Sequence, residues 1–543
     1  MDLDFCRYYK HAELTGILKK LARAHPKRMK LRSIGRSPAG RDIWMAEITS
    51  PTGGPRKRAT TNSNHKPGYL IHGNIHASEV SGCTTALHVI WHLLEGGAKD
   101  ADVAILLDRM VFYIIPRINP DGAEAVLTRP QRIRSRPRRP LPEEEINGLI
   151  PQDINGDGMV LEMRIEDENG DRRPSDKDPR LLVRRKPTDT KGPFYRVYLE
   201  GLIKEWDGHD FHVVSPQYDF NRNFAANWQM EYLQYGAGRF PYSEPEIKAL
   251  ADVSYAHPNI CFALGFHCGS NGVLRPPSTK RDDEMNAADL AEFKRIGKIG
   301  EEITGFPLRA TTAYTSSPKG IKLQGHFGDW GYEHHGWLNF EIELGMHVNN
   351  AGIKTTDFFG DPEREWESWE EQIMEWVQRS GDTTHFVDWK PFKHPQLGKV
   401  EIGGWHPFVY ANPMPGSLGE IASKTTQFIL AHAAAAPRLR IVSAEVTPLA
   451  RGLFKITASI RNDGYLATSI TSQGVTNRQA RPVMVELKLP RGAKVVVGRP
   501  KQVIGHLPGY STPRKLEWVV RGRGPVTVSA SCPRAGRDEK RLK

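Results

Sequence analysis

Residues 69–82 read YLIHGNIHASEVSG. An apolar run ends in Gly73, His76 and Glu79 follow at a spacing of three, and a helical pattern then begins. A short extended run that breaks at glycine and passes into a helix is the junction of a βα unit. Taken alone, His76 and Glu79 fit two descriptions. They are metal ligands, or they form a hydrogen-bonded turn whose glutamate is favoured by the helix dipole. Zinc catalysis needs three protein ligands and one open position, so the first description requires a third ligand from elsewhere.

Downstream, Val80, Leu87, Ile90, Trp91 and Leu94 recur at helical spacing, and Gly96-Gly97 ends the helix. MVFYIIPRINPDG (110–122) is a second buried strand, which completes a βαβ unit. Two more apolar strands, NICFALGFHCG (259–269) and GWLNFEIELG (336–345), are separated by helical patterns such as NAADLAEFKRIGKIGEEITG (286–305). Upstream, a helical pattern from Ala12 precedes alternating residues on either side of Ser-Pro-Ala-Gly (37–40). The fold class expected is α/β: a mixed, mostly parallel sheet flanked by helices. In such sheets ligands bind at the carboxyl ends of strands.

The chain of 543 residues is too long for one simple domain. Residues 140–215 turn polar and rich in Asp, Gly, Pro and Arg, and read as an inserted loop region within an α/β body spanning 1–436. Residues 380–436 read as further loop and a helix. From Pro437 to the C-terminus, short strands alternate with Gly, Pro and Asn-Asp-Gly turns, which predicts an accessory β-sandwich over 437–543.

No apolar run approaches the roughly 18 residues a membrane helix needs. The N-terminus shows no basic start followed by an apolar stretch, so the chain as written reads as cytoplasmic, with secretion the alternative if the start is mis-assigned. Five scattered cysteines without a C-x-x-C pair argue against a thiolate metal site or a disulfide framework. The net charge of +12 and the run RPQRIRSRPRRP (129–140) raise nucleic-acid binding, but no nucleic-acid module accompanies them.

Other candidate residues sit at comparable places. His267 ends the strand CFALGF. Glu343 lies inside a run that otherwise favours burial, where it is either a general base or half of a salt bridge. Asn221-Arg222 in DFNRNF suits a carboxylate, since a guanidinium fork beside an amide matches its geometry.

Taken together these residues resemble a family. His76-Ala-Ser-Glu79, Pro116-Arg-Ile-Asn119-Pro-Asp-Gly122, Asn221-Arg222-Asn223, Ser243-Glu-Pro-Glu246, His267, Asp329-Trp330 and Glu343-Leu344 follow the order found in the zinc carboxypeptidases related to carboxypeptidases A and B. The resemblance spans roughly residues 8–380. It implies one Zn2+ on His76, Glu79 and His267, with Glu343 as general base toward a metal-activated water. Asn221 and Arg222 would hold the C-terminal carboxylate of a peptide or protein substrate. An arginine after the Asn-Pro-Asp-Gly turn would stabilise the oxyanion; spacing selects Arg134, with Arg132 and Arg136 as neighbours.

The sequence departs from that pattern at three places. Ser78 stands where the family often has arginine. No tyrosine precedes Asp329 in PKGIKLQGHFGDW (318–330), and Tyr314 is the stand-in. The stretch between Asn119 and Asn221 is long. Within it, Asp153-x-Asn155-x-Asp157-Gly158 copies the first half of a calcium loop, while Arg164 occupies the position of an EF-hand's last glutamate; Ca2+ and a metal-free, Asx-turn-rich loop both fit. Glu341 shares a strand face with Glu343 and is expected to line the pocket for a basic terminal side chain, or to pair with an arginine. The reaction implied is hydrolysis of a C-terminal peptide or related amide bond. The rival is a peptide- or cell-wall-binding protein that keeps the fold without turnover.

Overall fold

The computed structural model describes residues 1–51, 65–97, 100–139, 147–315, 322–350, 352, 362–381 and 383–542. Eight strands form the central sheet: β1 (Met29–Arg36), β2 (Asp42–Ile48), β3 (Gly68–His72), β4 (Val111–Ile115), β5 (Ile260–His267), β6 (Asn271–Arg275), β7 (Leu308–Ala310) and β8 (Leu338–Leu344). Their order is β1-β2-β4-β3-β5-β8-β6-β7. The four central strands β4, β3, β5 and β8 run parallel. β1, β2 and β6 enter antiparallel.

The central strands are apolar throughout because both faces are covered. Side chains alternate between two cores, as a period of two requires. Tyr69, Ile71, Phe262 and Leu264 join one core with helices α1 (His11–Ala24), α2 (Ser81–Trp91), α4 (Ala287–Thr304) and α5 (Pro415–Ala434). Leu70 and Ala263 join the other, under α3 (Pro245–Ala256) and Trp330. This is the expected α/β class.

The insertion departs from the expected loop. Glu162–Glu166, Arg172–Pro174, Leu182–Arg184 and Tyr195–Leu199 combine with Phe386–His394 and Gly398–Trp405 in a second, six-stranded antiparallel sheet. The strands within the insertion are short, so their periodicity is faint in the sequence, and Glu162–Glu166 finds one of its partners in the distant Gly398–Trp405. Leu161, Met163, Val400 and Ile402 supply a small core beneath it.

The C-terminal region forms two four-stranded antiparallel sheets. Ile456, Ile460 and Trp518 of one share a core with Val485, Leu487 and Val528 of the other. Arg534, 3% exposed, donates through Nη2 to His335 O at 2.6 Å and through Nη1 to Gly336 O at 3.2 Å, tying this region to the turn before β8. Among the described residues no helix is long and apolar enough to cross a membrane.

Candidate metal centre

β3 delivers the chain to Gly73, where a Cβ would stand 2.4 Å from Gly82 O at the start of α2. Asn74 then takes a positive φ of 56°. It is stabilised there by its own amide: Nδ2 donates to His76 O at 2.7 Å and Glu79 O at 3.2 Å. His76 and Glu79 are thereby fixed on one tight turn. Asn119 braces it from below, accepting from Gly122 N while donating to Ser135 O at 2.7 Å. The bond from Ala77 N to Arg134 O, 2.7 Å, sets the basic arm 129–139 alongside. Asn-Pro-Asp-Gly therefore caps a helix and positions that arm.

His267, at the end of β5, comes to the same point, and Glu343 sits opposite it in the parallel register of β8. One ligand atom each from His76, Glu79 and His267 lie within 4.8 Å of one another, and all three residues are buried. His76 Nδ1 is 2.8 Å from Glu79 Oε1 and 3.2 Å from His267 Nδ1; His267 Nδ1 is 3.2 Å from Glu79 Oε2. Both imidazoles turn Nε2 outward onto a carboxylate: His76 onto Asp219 Oδ1 at 3.2 Å, His267 onto Glu341 Oε1 at 3.1 Å.

A carboxylate behind Nε2 favours the N–H there and leaves the Nδ1 lone pair facing inward. Two lone pairs and a carboxylate converging in a buried space suit a cation, and imidazole with carboxylate is a zinc donor set. The donors therefore fit the zinc ion that the fold's chemistry calls for. Burial would lower the pKa of His267, but Glu341 and Glu79 outweigh it and hold it near 10. A metal would displace the Nδ1 proton that these carboxylates hold on His267 and take its place between the donors.

The remaining candidates mostly line one cleft of about 690 Å³ with these three residues: Arg134, Asn221, Arg222, Glu341 and Glu343. Arg134 donates through Nε to Asp219 Oδ2 at 2.8 Å and through Nη1 to Glu79 Oε1 at 3.2 Å. Arg222 donates to Asn221 O at 2.7 Å, and Asn221 Oδ1 accepts from Phe327 N at 2.8 Å. Burial lowers the pKa of Arg222 against the pull of Asp219. Tyr314 falls on the short helix Thr311–Thr315, its side chain outside the described residues.

At three places the structure adds detail that the sequence left open. Glu341 is 2% exposed and both its oxygens are engaged, by His267 Nε2 and Asn221 Nδ2 on one and by His326 Nε2 at 3.0 Å on the other. Its carboxylate is thus engaged by two histidines and an amide of the same chain. Ser78 Oγ donates to Ile133 O and accepts from Ile133 N, both at 2.9 Å, so it clips the metal turn to the basic arm. The calcium reading of Asp153, Asn155 and Asp157 gains no support: Asp153 accepts from Gly156 N and Gly158 N, Asn155 from Asp157 N, and Asp157 from Met159 N, which is the Asx-turn-rich loop.

Asp219 and His326 escaped the sequence reading. Asp219 stands two residues before Asn221, and an acidic residue beside an Asn-Arg pair is a signal available in DFNRN. His326 had none, since its role depends on Glu341 across the sheet.

Comparison with known proteins agrees with this geometry. The zinc carboxypeptidase family matches residues 14–373, and a domain of unknown function matches 438–543. The chain is similar to carboxypeptidase M of Mus musculus, 32% identical over 127 residues, covering 23% of this chain and 26% of that protein. It is similar to the inactive metallocarboxypeptidase ECM14 of Ajellomyces dermatitidis, 34% identical over 106 residues, covering 19% and 17% respectively. The matched segments thus span about a quarter or less of these relatives. Among solved structures, carboxypeptidase A from Helicoverpa armigera aligns at 16% identity over 70% of this chain and 74% of that one, with a TM-score of 0.43. With two thirds of its length matched by one family and that family's donor set gathered at the strand ends, the chain belongs to the zinc carboxypeptidase family.

Proposed function

We propose that the protein is an active metallocarboxypeptidase that removes a C-terminal residue from a peptide. The observation that carries this reading is the single cleft that holds His76, Glu79 and His267 together with Glu343, Arg134 and the Asn221-Arg222 pair. His76, Glu79 and His267 would hold a zinc ion, which would supply Lewis acidity and lower the pKa of water. Glu343 takes a proton from the attacking water and returns it to the leaving amine. Arg134 donates to the oxyanion that develops on the carbonyl. Asn221 and Arg222 grip the terminal carboxylate and set the register of the scissile bond. Residues 437–543 form an accessory domain in this reading.

The rival is a peptide-binding protein without turnover, and the inactive relative keeps it in view. Retention of Glu343 beside a complete ligand set favours hydrolysis. The test is cleavage of a small peptide library, each peptide with a free and an amidated C-terminus. Chelation should abolish cleavage and zinc restore it, with free carboxylates strongly preferred. Undiminished cleavage of amidated peptides, or none by a zinc-replete preparation, would overturn the proposal.

A further inference from the structure

Beside the cleft lies a second cavity of about 460 Å³, within the roughly 300–1,000 Å³ range of small-ligand pockets. Its walls come from the second sheet and from the helix Pro362–Ser380; Glu162, Glu370 and Trp405 line it together with Arg172, which pairs with Asp171, Arg180, which pairs with Asp178, and Arg184.

Two residues form the partition between the cavities. Arg132 and Tyr410 both line the cleft, with the guanidinium of Arg132 stacked 4.4 Å from the centre of the Tyr410 ring. Each reaches through to the far side. Arg132 Nη2 donates to Glu162 Oε1 at 3.3 Å, and Tyr410 Oη donates to Glu370 Oε1 at 2.7 Å. The two spaces are joined by one polar wall.

Glu370 is the feature that calls for a ligand. Tyr410 is its hydrogen-bond partner, and it has no ion pair among the described residues. Burial pushes its carboxyl up to about 7 against the Tyr410 bond and the charges of Arg132 and Arg172, and the charge of Glu162 adds to the rise. Nearby, Trp405 Nε1 is buried without a hydrogen-bond partner among the described residues, a donor aimed at no acceptor. A buried carboxyl that Arg132 and Arg172 approach without pairing, and an indole N–H short of a carbonyl, are complementary to a peptide's amine end.

The cleft constrains which end that is. If Asn221 and Arg222 hold the terminal carboxylate, the chain upstream of the scissile bond must lead away from them. We propose that the second cavity receives the N-terminal ammonium end of a short peptide whose C-terminal residue occupies the cleft, with Glu162 and Glu370 as its anionic contacts. The inference rests on the carboxypeptidase reading. It narrows the substrate class to short oligopeptides with a free amine, because the carboxyl and amine ends of one chain must reach the cleft and the cavity together.

The test compares alanine tri-, tetra- and pentapeptides with free, acetylated and succinylated amines, using the full zinc-loaded chain. One length at least should show a kcat/KM ten-fold or more higher for the free amine than for the acetylated one, carried by KM. In Glu370→Gln that ratio should fall below about three-fold. Calorimetric binding of the same peptides to Glu343→Gln should show the same preference without turnover. Equal affinity for free and acetylated peptides, an unchanged ratio in Glu370→Gln, or a preference for the succinylated series would overturn the inference; the last would assign the cavity to Arg172 and Arg184. A binding preference that persists where no peptide is cleaved supports the cavity and faults the hydrolase reading alone.

Discussion

Asp219 stands behind His76, its Oδ1 3.2 Å from the imidazole Nε2, while its Oδ2 lies 2.8 Å from Arg134 Nε. One carboxylate therefore orients a metal ligand and the arginine assigned to the oxyanion. Burial would raise the pKa of Asp219, but Arg134, Arg222 and His76 hold it well below the usual carboxylate range. Asp219→Asn keeps the shape and removes the charge. Zinc affinity, measured by chelator competition, should fall about 10–100-fold, as for other carboxylates behind ligating histidines. Unchanged affinity would show that His76 needs no such support.

Glu341 stands to His267 as Asp219 stands to His76, and the same reasoning separates support from specificity. Glu341→Gln should weaken zinc binding and slow peptides ending in Lys, Glu and Leu by similar factors. A selective loss for Lys with normal zinc affinity would support the pocket role that strand alternation alone suggested.

What the sequence made legible follows from range. The βα turn and the burial of β5 and β8 are local patterns, readable because glycine, apolar runs and polar interruptions act over a few residues, whereas His76, Glu79 and His267 are joined as a ligand set only through the family resemblance. The pairing of Glu162–Glu166 with Gly398–Trp405 is not local, and no short-range signal announces it. The same holds for Glu341. Its side of the strand was predictable, but its partners His267, Asn221 and His326 come from three separate segments.

Glu246, at the start of α3, is fully buried, with Arg136 Nε 3.6 Å from Oε1 as its closest cation. Burial raises its carboxyl from 4.5 to about 7. A raised acid stabilises the fold while protonated, so its contribution is complete below about pH 4.5 and is lost as pH rises through 7. Glu246→Gln should therefore match the wild type near pH 4.5 and exceed it at pH 8 by up to about 3 kcal/mol, at about 1.4 kcal/mol per pH unit. Arg136 keeps Glu244 as a partner in the variant. Urea unfolding at the two pH values measures the difference, and parallel curves would contradict it.

Gly325 has a φ of 68°, and a Cβ there would stand 2.1 Å from Arg222 O. Its backbone pairs with Phe224 N and Ala226 O, so the loop cannot move off without breaking both bonds. Gly325→Ala combines left-handed strain of about 1–2 kcal/mol with a clash against the residue assigned to the substrate carboxylate. KM for free-carboxylate peptides should rise at least ten-fold while the zinc content holds. A normal KM would show that Arg222 tolerates displacement.

Arg534 joins the C-terminal sheets to the catalytic body. Its guanidinium also reaches Ser469 O at 3.4 Å, so its three carbonyl acceptors lie on both sides of the contact. Burial lowers its pKa to about 10. A buried charge satisfied by carbonyls is costly to dismantle, because truncation strands every acceptor at once. Nearby, Asp289 accepts from Ser472 N at 2.6 Å and Gln473 N at 3.0 Å, a second polar tie across the same junction. Arg534→Ala should lower stability by about 3 kcal/mol, in line with loss of hydrogen bonds from a buried charged donor. Because Asp289 still holds the neighbouring segment, the C-terminal sheets should stay folded but loosen from the body. Limited proteolysis should then cut first near residue 437, at a rate at least ten-fold above the wild type, and hydrogen exchange should rise at His335–Trp337. Proteolysis and exchange at wild-type rates would mean that Asp289 and the surrounding packing carry the junction without Arg534.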